Sequence, residues 1–265
     1  MTNMQSESQP PSTKDRERCT RVPPREHELR WWGFYTLTRI SSWVSMKIWL
    51  RVKVHQAENI PPDGAAILAS NHQSFLDPWL LGGIVRRPLC FLARKSLFSV
   101  PVLGYAIRRL GAFEVDREKT SAREGMRVCL RILDRGRLLV FFPEGTRSPD
   151  GKFLPFKRGL AFIAKRSESP VVPTLIVGTY EAWPRDKRFP RLGAARVVFG
   201  APIKFTKEDS TESFLERLRL AQESLAREAG AEHLLSERLG PGDDEDSSPI
   251  RFQSLEEPST ESAPN

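Results

Sequence analysis

Residues 65–78 read Ala-Ala-Ile-Leu-Ala-Ser-Asn-His-Gln-Ser-Phe-Leu-Asp-Pro. The first six, Ala65–Ser70, are a short apolar run of strand length, the pattern of a buried strand. Pro78–Val85 has a helical pattern. The polar stretch between them therefore leaves a strand and enters a helix, which is where α/β domains place ligands and catalytic groups. The same alternation continues downstream. Leu89–Ala93 and Gly111–Val115 are strand-like, and Ser121-x-x-Glu124 is a capping box opening a helix through Leu133 that Gly136 ends. Arg137–Phe142 is a further apolar run, Gly159–Arg166 a short helix, Val171–Val177 and Ala195–Ile203 two more strands. Asp209-x-x-Glu212 reads as a second capping box, starting a helix with Phe214, Leu215, Leu218 and Leu225 inward. Strands alternating with helices predict an α/β fold, a layered and mostly parallel or mixed sheet flanked by helices, over residues 55–234. That length suffices for a sizeable core.

The rest of the chain is of different character. Residues 1–27 and 235–265 have the polar, proline-containing composition of disordered tails, and the second carries the acidic cluster Asp243, Asp244, Glu245 and Asp246. The 265 residues have a net charge of +8. From residue 231 onward nine acidic residues face two basic ones, so residues 1–230 hold 39 basic against 24 acidic. Such an excess suits an anionic partner. Three scattered cysteines, Cys19, Cys90 and Cys129, form no C-x-x-C pair, which argues against a disulfide framework or structural zinc and for a reducing, cytosol-facing compartment. The polar N-terminus is not expected to be a cleaved signal peptide.

Residues 31–50 hold four of the six tryptophans, Trp31, Trp32, Trp43 and Trp49. Arg39, Lys47 and several Ser and Thr make a lone membrane span a poor reading. Phe34, Leu37, Ile40, Val44 and Ile48 share one side of a helix, with Thr38, Ser41 and Ser45 on a neighbouring polar strip. Aromatic rings favour the headgroup level, and Arg39, Lys47, Arg51 and Lys53 would meet anionic lipid. Residues 28–54 are therefore expected to be an interfacial, membrane-associating helical segment; the alternative is an aromatic-rich core helix.

The chemistry is concentrated in two strand-end loops. In the first, His72 and Asp77 are five apart, and a turn can bring the carboxylate to the imidazole. A carboxylate on one ring nitrogen fixes the tautomer and leaves the other as a base; a loop histidine beside a helix-capping aspartate fits the same residues. In the second, Phe142-Pro143-Glu144-Gly145-Thr146-Arg147-Ser148, Gly145 permits a tight turn and Arg147 offers a planar fork suited to phosphate. Glu144 can orient Arg147 or accept from a substrate hydroxyl. Phe156-Lys157-Arg158-Gly159 adds two cations at a helix start, a favoured anion position.

Four blocks occur in order: His72-x4-Asp77; Gly111-Ala112-Phe113-Glu114-Val115-Asp116-Arg117; Phe142–Ser148; and Val171-Val172-Pro173-Thr174-Leu175. Together they resemble the motif blocks of the glycerolipid acyltransferases, most closely the 1-acyl-sn-glycerol-3-phosphate (lysophosphatidic acid) acyltransferases, over about residues 55–205. Asn71-His72-Gln73-Ser74 is the form associated with lysophosphatidic acid as acceptor. Lys95-Ser96-Leu97 and Pro101–Gly104 resemble the linker between the first two blocks. Glu114 departs from the apolar residue usual in the second block.

The resemblance implies that His72 takes the proton of the acceptor's sn-2 hydroxyl, that Asp77 orients His72, and that the oxygen attacks the thioester of acyl-CoA or acyl carrier protein, giving phosphatidic acid. It implies that Arg117, Glu144, Gly145, Thr146 and Arg147 bind the glycerol phosphate, with Lys157 assisting. No cofactor or metal is expected; His27, His55 and His233 are isolated. There is no G-x-S-x-G elbow, and a covalent acyl-enzyme is not expected. The implied partners are lysophosphatidic acid, the acyl donor and an anionic membrane, at the cytoplasmic face of the cell membrane. Two other readings stand beside this one: an acyltransferase for another lysolipid, such as lyso-ornithine lipid, and a non-enzymatic basic membrane binder. Nucleic acid is not expected as partner, because no recognition motif accompanies the charge. Pro173 is expected either to shape the strand end by the site or to mark an edge or bulge.

Overall fold

The computed structural model describes residues 29–94, 112–115, 122–184, 186–187 and 189–235. Among them are helix α1 (Leu29–Leu50), strands β1 (Lys53–His55) and β2 (Ala66–Ser70), helix α2 (Leu76–Ile84), strands β3 (Leu89–Arg94) and β4 (Ala112–Val115), helix α3 (Ala122–Asp134), strand β5 (Leu138–Phe141), helix α4 (Gly159–Ser167), strand β6 (Val171–Val177), the short helix α5 (Thr179–Ala182), strand β7 (Arg196–Phe199) and helix α6 (Thr211–Glu228). The strands form one mixed sheet in the order β1-β7-β6-β2-β5-β3-β4. Every neighbouring pair is parallel except β6 and β7.

The central strands are apolar because both faces are covered. All five residues of β2 and all seven of β6 are buried. One face packs Leu68, Val140, Val172 and Ile176 against α1 and α2, through Met46, Leu50, Leu76, Leu80 and Leu81. The other packs Ile67, Ala69, Leu139 and Val171 against α3, α4 and α6, through Val128, Ile132, Leu160, Ile163, Phe214 and Leu218. The crossover helix after β2 thus lies on one face and that after β5 on the other, although β2 and β5 are paired neighbours. Diverging crossovers open a crevice between the carboxyl ends of two adjacent parallel strands.

The reversed strand sets the position of the N-terminal helix. Val177, at the carboxyl end of β6, is level with Arg196 at the start of β7, and Arg196 is level with Lys53 at the start of β1. The carboxyl end of α1 therefore lies at the same sheet edge as the ends of β2, β5 and β6.

Several sequence expectations are corrected here. The sheet begins at Lys53, inside the stretch assigned to the membrane-associating segment, because Val52 and Leu50 are core residues. The box expected at Asp209-x-x-Glu212 is one residue out: the Ser210 hydroxyl caps α6, accepting from Ser213 N at 3.0 Å. Asp209 is taken instead by the preceding turn, where its carboxylate accepts the amide and hydroxyl of Thr206 at 2.8 and 3.0 Å. Helix α2 starts at Leu76, two residues before Pro78. Of the two expectations for Pro173, the strand end fails and the bulge holds: Thr174 pairs with Phe199 but Val171 with Ile203, so the partner segment carries one extra residue opposite Pro173. It sits mid-strand in β6, on the side where β7 has broken off at Phe199; Gly200 N donates to its carbonyl and pairing resumes at Ile203, so no ladder bond awaits the missing N–H. Ser121 of the first box lies outside the described residues, as do the tails.

Helix α1 is apolar on opposite sides. Tyr35, Ser42, Met46 and Leu50 are buried, whereas Leu37 (67% exposed), Ile40, Val44 and Ile48 (74%) face outward. No described helix is long and apolar enough to cross a membrane. The buried side meets α2 closely: Ser42 Oγ donates to Trp79 O at 2.9 Å, and a Cβ on Gly83 would lie 2.9 Å from the backbone nitrogen of Trp43. Burial also raises the Tyr35 phenol, which donates to Arg87 O at 3.2 Å, to about 12, chiefly by desolvation. Gly82, by contrast, has nothing within 4 Å of an added Cβ. Gly83→Ala should therefore push the two backbones apart and destabilise by about 1–3 kcal/mol, the range for overpacking. Gly82→Ala should be neutral or stabilising by up to about 1 kcal/mol through helix propensity. Thermal unfolding of the two variants checks this; equal melting temperatures would contradict the close approach.

Candidate active site

The loop leaving β2 is fixed before any chemistry is considered. Asn71, fully buried, exchanges two hydrogen bonds with the backbone of Ile176 in β6, at 2.9 and 2.8 Å. His72 O accepts from Ser148 N at 2.8 Å, which ties this loop to the one after β5. Asp77, in the first turn of α2 and fully buried, turns its carboxylate back towards the loop. Its Oδ2 accepts from the amides of Gln73 and Ser74, at 2.7 and 2.8 Å, and lies 2.8 Å from His72 Nδ1. Its Oδ1 accepts from the Thr179 hydroxyl at 2.7 Å. With the carboxylate as acceptor, Nδ1 carries the proton and Nε2 is the nitrogen left for a substrate. The imidazole is half-buried and stacks on Phe142, with centroids 4.1 Å apart and planes at 22°.

The loop after β5 supplies cations. Gly145 has φ +70, the left-handed region that favours glycine, and an added Cβ would lie 3.1 Å from the Lys157 side chain. The Lys157 stem thus lies across the turn, and its amide donates to Pro143 O at 2.9 Å. The Arg147 guanidinium sits 3.5 Å above the Phe75 ring, a stacked and sterically defined position. Phe75 in turn meets the Trp183 indole at 5.6 Å. Thr146 is exposed. Arg158, the other cation expected here, turns away to pair with Glu212 at 2.9 Å.

Of the expected site residues, His72, Gly145, Thr146, Arg147 and Lys157 are on two loops joined at the β2–β5 crevice, and Asp77 reaches the first of them from the start of α2. Arg117 lies outside the described residues. Glu144 is placed differently from expectation: it is 2% exposed, and the backbone amides nearest its carboxylate oxygens, those of His72 and Leu154, fall short of full hydrogen-bond geometry. Burial raises its pKa well above the usual carboxylate range; the backbone amides of His72 and Leu154 oppose the shift and the nearby Asp77 charge adds to it. The enclosed carboxyl is withdrawn from the surface on which Thr146 is exposed. Thr179, Phe142 and Phe75 escaped the sequence reading. Thr179 could have been suspected only from the pairing of β6 with β2, which brings the residue after β6 to the residue after β2.

Other nucleophiles are disposed of by their surroundings. Ser74 is buried and donates to Trp183 O at 2.8 Å. Burial pushes the thiols of Cys90 and Cys129 up to about 12, so neither is a ready thiolate.

Comparison with known proteins gives a consistent result. A family model described as Acyltransferase matches residues 51–177. The chloroplastic 1-acyl-sn-glycerol-3-phosphate acyltransferase of Brassica napus is 33% identical over 172 residues, 63% of this chain and 50% of the relative. The 1-acyl-sn-glycerol-3-phosphate acyltransferase of Bacillus subtilis is 30% identical over 153 residues, 57% of this chain and 73% of that protein. The crystal structure of the 1-acyl-sn-glycerophosphate acyltransferase from Thermotoga maritima superposes with a TM-score of 0.67 at 28% identity, covering 78% of this chain and 84% of that one. The chain spans about half the length of the plant relatives it matches.

Glu144 gives a test with a definite sign. A carboxyl whose folded pKa lies above its unfolded value binds more protons when folded, so stability falls as pH rises from the unfolded pKa, near 4.5, toward the folded one. Glu144→Gln removes that dependence. The variant should gain thermal stability relative to wild type between pH 5 and 8 and show little gain near pH 4. A loss of stability that deepens as pH rises above 4.5 would mean that the carboxyl is ionised and paired.

Proposed function

The chain belongs to the 1-acyl-sn-glycerol-3-phosphate acyltransferase family, and on that footing we propose that it transfers an acyl chain from acyl-CoA or acyl carrier protein to the sn-2 hydroxyl of 1-acyl-sn-glycerol 3-phosphate, giving phosphatidic acid. The observation that carries the reading is a buried-carboxylate–imidazole pair tied to a loop that holds Arg147 and Lys157.

The acceptor's hydroxyl oxygen attacks the thioester carbonyl carbon while its proton passes to His72 Nε2. The Asp77 carboxylate steadies the imidazolium so formed and keeps the ring in the productive tautomer. Collapse of the tetrahedral intermediate breaks the C–S bond, and the proton returns from His72 to the leaving thiolate. Base, orienter and attacking hydroxyl complete the step without a covalent acyl-enzyme, in keeping with the surroundings of Ser74, Cys90 and Cys129. Arg147, with Lys157, Thr146 and Arg117, binds the phosphate: a guanidinium stacked on an aromatic face is held in one plane and can offer a bidentate fork. The role proposed for Glu144 is to fill the turn beneath these groups.

The acceptor's own acyl chain belongs to a bilayer, so the reaction takes place at a membrane surface. The outward row Leu37, Ile40, Val44 and Ile48 of α1 is proposed as the anchor, with Arg39, Arg51 and Lys53 toward the headgroups. Lys47 has a second duty, since its ammonium donates to Val52 O at 3.0 Å beyond the end of α1.

Purified protein in detergent, offered a panel of lysolipids and acyl donors with products read by mass, tests the activity. His72→Ala should reduce turnover by roughly 10²–10⁴-fold, and Asp77→Asn should be severe because an amide can hold the wrong tautomer. Near-normal turnover by His72→Ala would remove it as the base. Arg147→Lys keeps the charge and loses the fork, so the acceptor KM should rise more than the donor KM. A change confined to the donor would move Arg147 to the acyl-donor side.

A further inference from the structure

We infer that the loop between α5 and β7, Trp183–Ala194, is a second contact with the anionic bilayer and inserts Phe189 and Leu192 beside the end of α1. The inference rests on the membrane reading of α1 given above and adds to it a separate element.

Phe189 is 69% exposed and Leu192 80% exposed. Apolar groups so placed in a slack loop would mean little, but this loop is a built one. Trp183 Nε1 donates to Lys187 O at 2.8 Å, Lys187 N to Pro184 O at 3.3 Å, and Arg191 N to Ala182 O at 2.7 Å. Three further bonds join it to the last turn of α1: Trp49 Nε1 to Arg191 O at 3.0 Å, Gly193 N to Trp49 O at 3.1 Å, and Ala195 N to Leu50 O at 2.7 Å. The loop caps the terminal carbonyls of α1, and Leu192 is held at the same end of that helix as the exposed Ile48 and Trp49. A hydrogen-bonded frame that holds two large apolar side chains out in water implies a partner that takes them up.

The charge identifies that partner as an anionic lipid surface. The segment 183–194 contains Arg185, Lys187, Arg188 and Arg191 against Asp186 alone. Lys187 and Arg191 are exposed, and Asp186 pairs with Lys187 at 3.2 Å. Cations interleaved in sequence with apolar residues are the composition of an interfacial insertion.

The other end of the loop reaches the candidate site. Trp183 accepts from Ser74 Oγ and touches Phe75, which lies under Arg147. Insertion of the loop would thus set the depth at which the Arg147 clamp meets lipid phosphates, and its loss should hurt activity on bilayer-embedded acceptor more than on a soluble one.

The test uses the full chain and flotation with vesicles of phosphatidylethanolamine and phosphatidylglycerol. Phe189→Ser with Leu192→Ser should weaken partitioning about tenfold or more, given the apolar area withdrawn. Its turnover on a short-chain, water-soluble acceptor should be unchanged and its turnover on vesicle-borne acceptor reduced. A second measurement avoids any folding defect: Leu192→Cys in a Cys19→Ser background, carrying an environment-sensitive fluorophore, should shift to shorter wavelength with these vesicles. Wild-type flotation of the double variant, or a fluorophore that stays in water, overturns the inference, as does a defect seen only toward acyl carrier protein, which would make the loop a protein-docking element. The α1 reading fails separately, if Ser at positions 37, 40, 44 and 48 together leaves flotation intact.

Discussion

The Asp77 carboxylate has no contact with solvent and receives two backbone amides, a threonine hydroxyl and the His72 ring. An ionised carboxylate stripped of water is very unfavourable unless such donors replace its hydration, and hydrogen bonds to a charged group contribute about 1.5–3 kcal/mol each. The donors come from two elements, the loop after β2 and α5 just beyond β6, and the carboxylate that receives them from a third, the first turn of α2. Each has to be in place for the others to be tolerable. That mutual requirement turns a flexible strand-to-helix connection into a fixed bracket for an imidazole. It also accounts for Asn71, whose paired bonds to Ile176 lock β2's exit to β6, the strand from which Thr179 follows.

The second buried carboxyl shows the opposite solution. Glu144 is as enclosed as Asp77 but lacks its set of donors, and burial with a neighbouring negative charge favours its protonated form. Two enclosed carboxyls in one polar cluster thus differ in the donors aimed at them: four at Asp77, none in full hydrogen-bond geometry at Glu144.

Much of this was legible in the sequence, and the failures have physical causes. The strand and helix periods gave the α/β layering, because strands buried on both faces must be apolar runs. The five-residue spacing suggested that His72 could meet Asp77, and the pair is indeed hydrogen-bonded. The capping box slipped by one because Asp209 and Ser210 are both good caps, and only the competing turn at Thr206 decides between them. Pro173 was left between a strand end and a bulge because its tolerance depends on a register slip in a neighbouring strand that breaks off 26 residues away at Phe199. Glu144 looked like a surface ligand because sequence does not report burial of a single polar residue in a loop. Thr179 went unnoticed because its partner is 102 residues away and adjacent only through strand order. Tertiary adjacency, not local pattern, is the common missing term.

Strand order also explains how one edge of the sheet came to hold so much. Had β7 run parallel to β6, the link between them would have needed a long crossover, and β7 would have entered the sheet from the opposite edge. Reversal allows a connection that stays at the carboxyl edge, and this is the Trp183–Ala194 loop. Because β1 runs parallel to β7, it too enters at that edge, and α1 must end there for Leu50 and Val52 to reach the core. That the end of α1 and the loop beside it share an edge with the two loops of the candidate site is therefore the consequence of a single antiparallel pairing. For a reaction whose acceptor is half in lipid, that arrangement meets a geometric constraint: the surface that would touch the bilayer and the imidazole that would take the proton are fixed to the same rigid edge, so that docking one positions the other.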